Sequence, residues 1–333
     1  MRWFSKLAVA AVATGTLIAG TQTSASAAWV NPFPHTLKFG ALGGDNSFPA
    51  ALGTSMLNPT KNPSGANNWS CKPSKTHPNP VVLVHGTWEN AYDNWNGLSP
   101  ILKDKGYCVY ALNYGNTTGI GFLNGTADMI ASAGEISPFV NKVLAQTGAK
   151  KVDLIGHSQG GALIRYYANK IGGTAKVNQV IALAPSNHPT TLSGITELGK
   201  TLGLLGVAMD VLNLVNMPAA AQQANKGANI SPFYVQVNGS GETIPGMKYT
   251  NIITKNDEVV TPYTEGKITA GPGASVDNIT IQNVCALDQS EHISLTYSKN
   301  VAQIVLNKLN PNDQRAIFCF FQAPLIGNTQ LIG

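Results

Sequence analysis

In Gly156-His157-Ser158-Gln159-Gly160 a serine sits between small residues, just after the apolar run Val152-Asp153-Leu154-Ile155 and just before an apolar segment of helical period. A strand running into this pentapeptide and a helix leaving it require a sharp turn. On such a turn the serine oxygen stands clear at the carboxyl edge of a sheet, and small residues at 156 and 160 avoid collision. The chemistry that fits is nucleophilic attack by Ser158 on an acyl carbon. A serine hydroxyl is a weak nucleophile, so a base must take its proton and an acid must orient that base.

On an elbow of this kind the acid and then the histidine follow the serine along the chain. Two histidines do so, His188 and His292. His188 comes straight after a strand predicted at 177–183 with no helix behind it, which suits a surface or cap position. His292 follows the last predicted strand and precedes the C-terminal helix, where the base belongs. Asp210, Asp257 and Asp288 are order-compatible acids. Asp210 falls in an apolar helical stretch, and Asp288 shares a loop with His292. Asp257 ends the strand predicted at 249–254 and is preferred, with Glu258 one residue away as its nearest competitor.

The negative oxygen formed by such an attack needs two backbone N–H donors, one after the nucleophile and one after an early strand. Gln159 supplies the first. His85-Gly86-Thr87 ends the apolar run 81–84 and makes Thr87 the second. The remaining candidates read as ordinary structure: His85 as a hydrogen-bonding residue, His157 as a local packing or hydrogen-bonding group, and Tyr166-Tyr167 as packing. His35 and His77 lie in Pro-rich loops.

The elements that must position these groups follow from the hydrophobic pattern. Short apolar runs at 81–84, 107–112, 152–155 and 177–183 read as strands covered on both faces. Trp95, Leu98, Ile101 and Leu102 lie at helical spacing, with Gly106 ending that helix. Met129 to Leu144 has the same period, and Ser137-Pro138 predicts a kink or two helices there. A helix is expected over 162–171. The alternation predicts an α/β fold, a mostly parallel central sheet flanked by helices. From 191 to 245 it is interrupted, then strands at 249–254 and 278–284 and a helix at 293–309 complete it. Leu198, Leu202, Leu205, Met209, Leu212 and Val215 belong to a stretch apolar almost all round. Such a helix needs burial on several sides, so 191–245 is expected to form a helical cap over the nucleophile.

Residues 1–27 read as a signal peptide: Arg2 and Lys6, an Ala-rich apolar run from Leu7 to Gly20, then the small-residue site Ala25-Ser26-Ala27. A secreted, extracellular chain is therefore expected, with 28–333 as one domain and 28–70, rich in Pro, Asn, Gly and Ser, as a meandering arm. No other run reads as a stable membrane span. The net charge of +5, without a Lys/Arg cluster, argues against nucleic-acid binding. Cys71, Cys108, Cys285 and Cys319 have neither zinc-ribbon nor Cys-x-x-Cys spacing, so two disulfides are expected, with three connectivities open. No cofactor or metal is called for.

With these residues together, the chain resembles the secreted bacterial class 2 triacylglycerol lipases, of the α/β-hydrolase superfamily, and is more distantly similar to the fungal lipase B type. The resemblance rests on Pro80-Val81-Val82-Leu83-Val84-His85-Gly86-Thr87, Gly106-Tyr107-Cys108, the elbow, Asn256-Asp257-Glu258-Val259-Val260 and Glu291-His292. It implies Ser158, Asp257 and His292 as catalytic triad, Thr87 and Gln159 as oxyanion donors, and the disulfides Cys71–Cys108 and Cys285–Cys319. His-Gly before Thr87 and His-Ser-Gln at the elbow depart from the fungal type. The implied activity is hydrolysis of acylglycerol esters at a lipid–water interface by a monomer. A short-chain esterase or polyester depolymerase with the same triad, an acyltransferase, and a non-catalytic lipid-binding protein are the alternatives.

Overall fold

The structure is a computed structural model that describes residues 47–204, 216–224 and 230–327. Residues 1–46, with the predicted signal peptide, and the apolar positions from Leu205 to Val215 lie outside them.

Six strands form a single parallel sheet in the order β2-β1-β3-β4-β5-β6. They are β1 (Val81–Val84), β2 (Val109–Leu112), β3 (Val152–His157), β4 (Val177–Leu183), β5 (Lys248–Ile253) and β6 (Ser275–Thr280). β1 and β3 are buried along their whole length, as strands with helices on both faces must be. This is the parallel sheet flanked by helices that the alternation predicts, and the α/β-hydrolase fold that the resemblance implies. Because all six strands run the same way, their carboxyl ends share one edge, and the loops leaving that edge can converge.

The flanking helices are α2 (Ala91–Trp95), α3 (Leu98–Asp104), α4 (Met129–Thr147), α5 (Gln159–Tyr166) with its π-helical continuation Tyr167–Gly172, the short α6 (Gly173–Lys176) and α11 (Lys299–Leu309). Between β4 and β5 stand α7 (Leu192–Leu204), α8 (Pro218–Ala224) and α9 (Pro232–Asn238), and a turn α10 (Ile281–Val284) follows β6.

Four local expectations are corrected. First, of the kink or two helices expected at Ser137-Pro138, the two helices do not occur: α4 is one continuous helix through Pro138. Pro138 and Gly134, whose carbonyl loses its partner, are both exposed, so that carbonyl is open to solvent. Second, the last strand is 275–280 rather than 278–284. As an edge strand it needs cover on one face only, and its half-exposed polar residues hide it from an apolar pattern. Third, the expected helix at 293–309 divides into a 3₁₀ turn, Ser294–Tyr297, and α11. Ser298 is extended between them and accepts from the Val301 amide at 3.2 Å as N-cap. Fourth, the arm contains α1 (Phe48–Leu57), whose Phe48, Ala51, Leu52 and Ser55 are buried at helical spacing.

A cluster of buried side chains joins α1 to the catalytic edge: Phe48 and Leu52 pack with Trp88, Ile195, Leu198, Val259, Ile293 and Tyr297, among others. Two disulfides, Cys71–Cys108 and Cys285–Cys319, tie the arm to the start of β2 and the end of β6 to the C-terminal segment. Loops of 37 and 34 residues correspond to roughly 3–4 kcal/mol each in the chain-entropy account.

Candidate active site

The pentapeptide forms a strand–turn–helix elbow. Ser158 has φ 54° and ψ −123°, off the end of β3 and at the cap position of α5. Such a turn is possible only because the backbone is crowded by backbone. A Cβ on Gly156 would lie 2.4 Å from the Gly160 carbonyl oxygen, and one on Gly160 would lie 2.2 Å from the Val84 carbonyl oxygen. β1, β3 and α5 therefore meet at van der Waals contact under the serine.

The residues expected as acid and base come together there from the ends of β5 and β6. His292 Nε2 lies 2.8 Å from Ser158 Oγ, and His292 Nδ1 lies 2.9 Å from Asp257 Oδ1 and 3.1 Å from Oδ2. All three residues are buried. Asp257 is fixed by its own loop, its Oδ1 accepting from the Val259 amide at 3.0 Å and the Val260 amide at 2.8 Å. Glu258, the competitor, points its Oε2 to the His292 backbone amide at 3.4 Å instead of to the ring. Burial pulls the His292 imidazole down, but the charge and hydrogen bond of Asp257, with the Glu258 and Glu89 charges behind them, hold it up at about 9. Burial pushes the Glu258 carboxyl up to about 7 against the pull of His292.

Thr87 and Gln159 lie side by side: the Thr87 hydroxyl donates to Gln159 Oε1 at 2.8 Å. Their backbone amides have no acceptor among the described residues. A Cβ on Gly86, before Thr87, would lie 2.3 Å from Glu89 Oε2 and 3.1 Å from Ser158 Cβ, so a side chain there would displace the Glu89 carboxylate.

Of the two roles expected of His157, packing or hydrogen bonding, it takes the second, with partners distant along the chain. Its Nδ1 lies 3.1 Å from Glu89 Oε2 and 2.8 Å from Asn94 Nδ2, and its Nε2 donates to the His292 carbonyl at 2.9 Å. Sequence reasoning did not single out Glu89, Asn94 or Gln223. Gln223, on α8, donates to Thr87 Oγ1 at 2.7 Å and accepts from Ser186 Oγ at 2.9 Å. The segment between β4 and β5 thus reaches the oxyanion candidate Thr87 through a buried amide. α7 also touches the acid loop, where a Cβ on Gly194 would lie 2.0 Å from the Val259 carbonyl oxygen. His188 sits apart, half-buried between Glu242 and Glu265. His85 stacks on Tyr114 and has its Nδ1 2.8 Å from the Gly86 carbonyl oxygen. No group of three or more metal-ligating side chains occurs among the described residues.

An unprotonated imidazole placed in this way can draw the proton from Ser158, and the carboxylate behind it can stabilise the imidazolium formed.

The family model for class 2 lipases matches residues 78–305. A triacylglycerol lipase of Pseudarthrobacter phenanthrenivorans is 39% identical over 94 residues, which is 27% of this chain and 28% of that protein. One of Vibrio cholerae is 32% identical over 149 residues, 40% of this chain and 45% of that protein. The chain thus spans under half the length of these relatives. Among solved structures, Aspergillus fumigatus lipase B superposes with a TM-score of 0.56 at 17% identity, covering 79% of this chain and 58% of that one, a likeness of fold. With the matched region running from the strand before Thr87 to past His292, the chain belongs to the class 2 lipase family.

Proposed function

We propose that this chain is a secreted serine carboxylic-ester hydrolase that cleaves acylglycerol esters through an acyl-enzyme on Ser158. The observation that carries the proposal is the hydrogen-bonded line from Ser158 Oγ through His292 to Asp257, on an elbow built for a nucleophile. His292 takes the Ser158 proton as Oγ bonds to the ester carbonyl carbon. The Thr87 and Gln159 amides hold the resulting oxyanion. The intermediate collapses, the carbon–oxygen ester bond breaks, and the alcohol leaves with the proton from His292. Water, giving a proton to His292, then attacks the acyl-enzyme. The acid departs as Ser158 recovers its proton.

Lipid as substrate, and a lipid–water interface as its setting, are supported by family membership and by the burial of Ser158. Only 2% of Ser158 is exposed, and α7 and α8, the described helices at the start of the expected cap, pack on its neighbours. Export is supported by Arg2, Lys6 and Ala25-Ser26-Ala27.

The test is a chain-length series of soluble p-nitrophenyl esters plus an emulsified triglyceride, run beside Ser158→Ala. Turnover should extend to long acyl chains and to the emulsion, and the variant should lose about 10⁴–10⁶ of kcat. Activity confined to acyl chains of about two to four carbons would replace the lipase by a short-chain esterase. Unchanged turnover by Ser158→Ala would remove the acyl-enzyme altogether.

A further inference from the structure

Beside the triad lies a second buried pair of titratable side chains that the mechanism above does not use. Glu89 and His157 are each at most 2% exposed, in contact at 3.1 Å. Each also holds a part of the site on a different chain segment. Glu89 Oε2 accepts from the Gly86 amide at 2.8 Å, fixing the loop that presents Thr87. His157 Nε2 lies 2.9 Å from the His292 carbonyl, and because a carbonyl only accepts, the ring donates there. Between them, Nδ1 has Glu89 Oε2 as an acceptor and Asn94 Nδ2 at 2.8 Å as a donor, so either state of Nδ1 is completed. One continuous line therefore runs from the oxyanion loop through the residue next to the nucleophile to the main chain of the base.

We infer that His157 and Glu89 form a positioning pair that sets the backbone of His292 and the Thr87 loop relative to Ser158. The inference rests on the hydrolase reading and extends it to two residues outside the triad and the oxyanion donors. Its physical content is a division of labour. Asp257 fixes the His292 ring at one end, while His157 fixes the main-chain carbonyl of the same residue from beneath, with the two imidazole centroids 5.0 Å apart. Without the second anchor, the His292 loop keeps its acid but loses its register against Ser158 Oγ. Glu89 is suited to this work as a carboxylate. Burial alone would raise its carboxyl, but the charge and hydrogen bond of His157 hold it below the ordinary range. The neighbouring Asp93 takes the opposite course: burial, then the Glu89 charge, pushes its carboxyl well above the usual value. A single negative charge is thus placed beside His157.

The test compares His157→Leu, His157→Gln and Glu89→Gln with the wild type, on a soluble p-nitrophenyl ester, by kcat and KM. Fluorophosphonate titration counts reactive Ser158, and thermal melting reports folding. Glutamine can still donate to the His292 carbonyl, whereas leucine cannot. A displacement on the ångström scale costs about 10²-fold in rate, so His157→Leu should lose about that much kcat per titrated site with KM within about twofold. His157→Gln should recover about tenfold of the loss, and Glu89→Gln should lower kcat without a matching change in KM. If His157→Leu does not fold, the glutamine variants carry the test. Both keeping kcat per site within about twofold of wild type, or losses that vanish once rates are expressed per reactive serine, overturn the inference and leave the hydrolase reading standing. A wild-type chain with no Ser158-dependent turnover overturns both.

Discussion

Asp257 and Glu258 are adjacent carboxylates near one imidazole, and replacing each by its amide separates their roles. In Asp257→Asn the side-chain oxygen can still accept from the Val259 and Val260 amides, at 3.0 and 2.8 Å in the wild type, so the loop keeps its shape. What is lost is the negative charge facing His292 Nδ1 at 2.9 Å. The amide nitrogen, at the Oδ2 position 3.1 Å from Nδ1, would then oppose Nδ1–H and leave it only the neutral Oδ1, which weakens the tautomer whose Nε2 is free to accept from Ser158. In a serine protease triad the same change costs about 10⁴ in kcat, or roughly 5.4 kcal/mol of transition-state stabilisation. Glu258→Gln removes a charge but no bond to the ring, since Glu258 Oε2 reaches only the backbone amide at 3.4 Å. Its effect should stay below about tenfold. The assay is kcat on a p-nitrophenyl ester, expressed per Ser158 titrated with a fluorophosphonate. If Glu258→Gln loses as much as Asp257→Asn, the acid has been assigned to the wrong carboxylate.

Two other perturbations probe the site and its frame. His292 must be neutral to act as base, so kcat/KM should rise with pH through a limb near about 9; Glu258→Gln removes a charge that favours the imidazolium and should move that limb to lower pH, and an unmoved limb would count against the electrostatic account. Gly160→Ala puts a Cβ 2.2 Å from a backbone oxygen and should cost about 3 kcal/mol or more, whereas Gly134→Ala, with nothing within 4 Å on α4, should stabilise by about 0.5–1 kcal/mol; thermal melts of the two variants should shift in opposite directions.

The runs at β1 and β3 were legible because strands buried on both faces are mainly apolar, with Asp153 the one charged residue among them, and Ser158 was legible because it follows such a strand directly. The edge strand β6 was not, since it mixes half-exposed polar residues into its pattern, and neither was α1, whose exposed Ala50, Gly53 and Leu57 give its two faces no polar contrast. The supports of the site were beyond reach for another reason. His157 meets Glu89 across 68 residues and the His292 carbonyl across 135, and Gln223 meets Thr87 across 136. Spacing along a chain carries no information about pairs made by the packing of separate loops. The choice between Asp257 and Glu258 is different, because a local signal does exist. An aspartate carboxylate is short enough to accept from the amides two and three residues ahead, which folds the loop around it. Asp257 does so at Val259 and Val260, and its second oxygen is left facing His292 Nδ1 at 3.1 Å. Glu258 has an extra methylene to place and no such turn of its own. The residue that closes its own loop is the one whose carboxylate can be aimed, and that rule distinguishes the pair without reference to the rest of the fold.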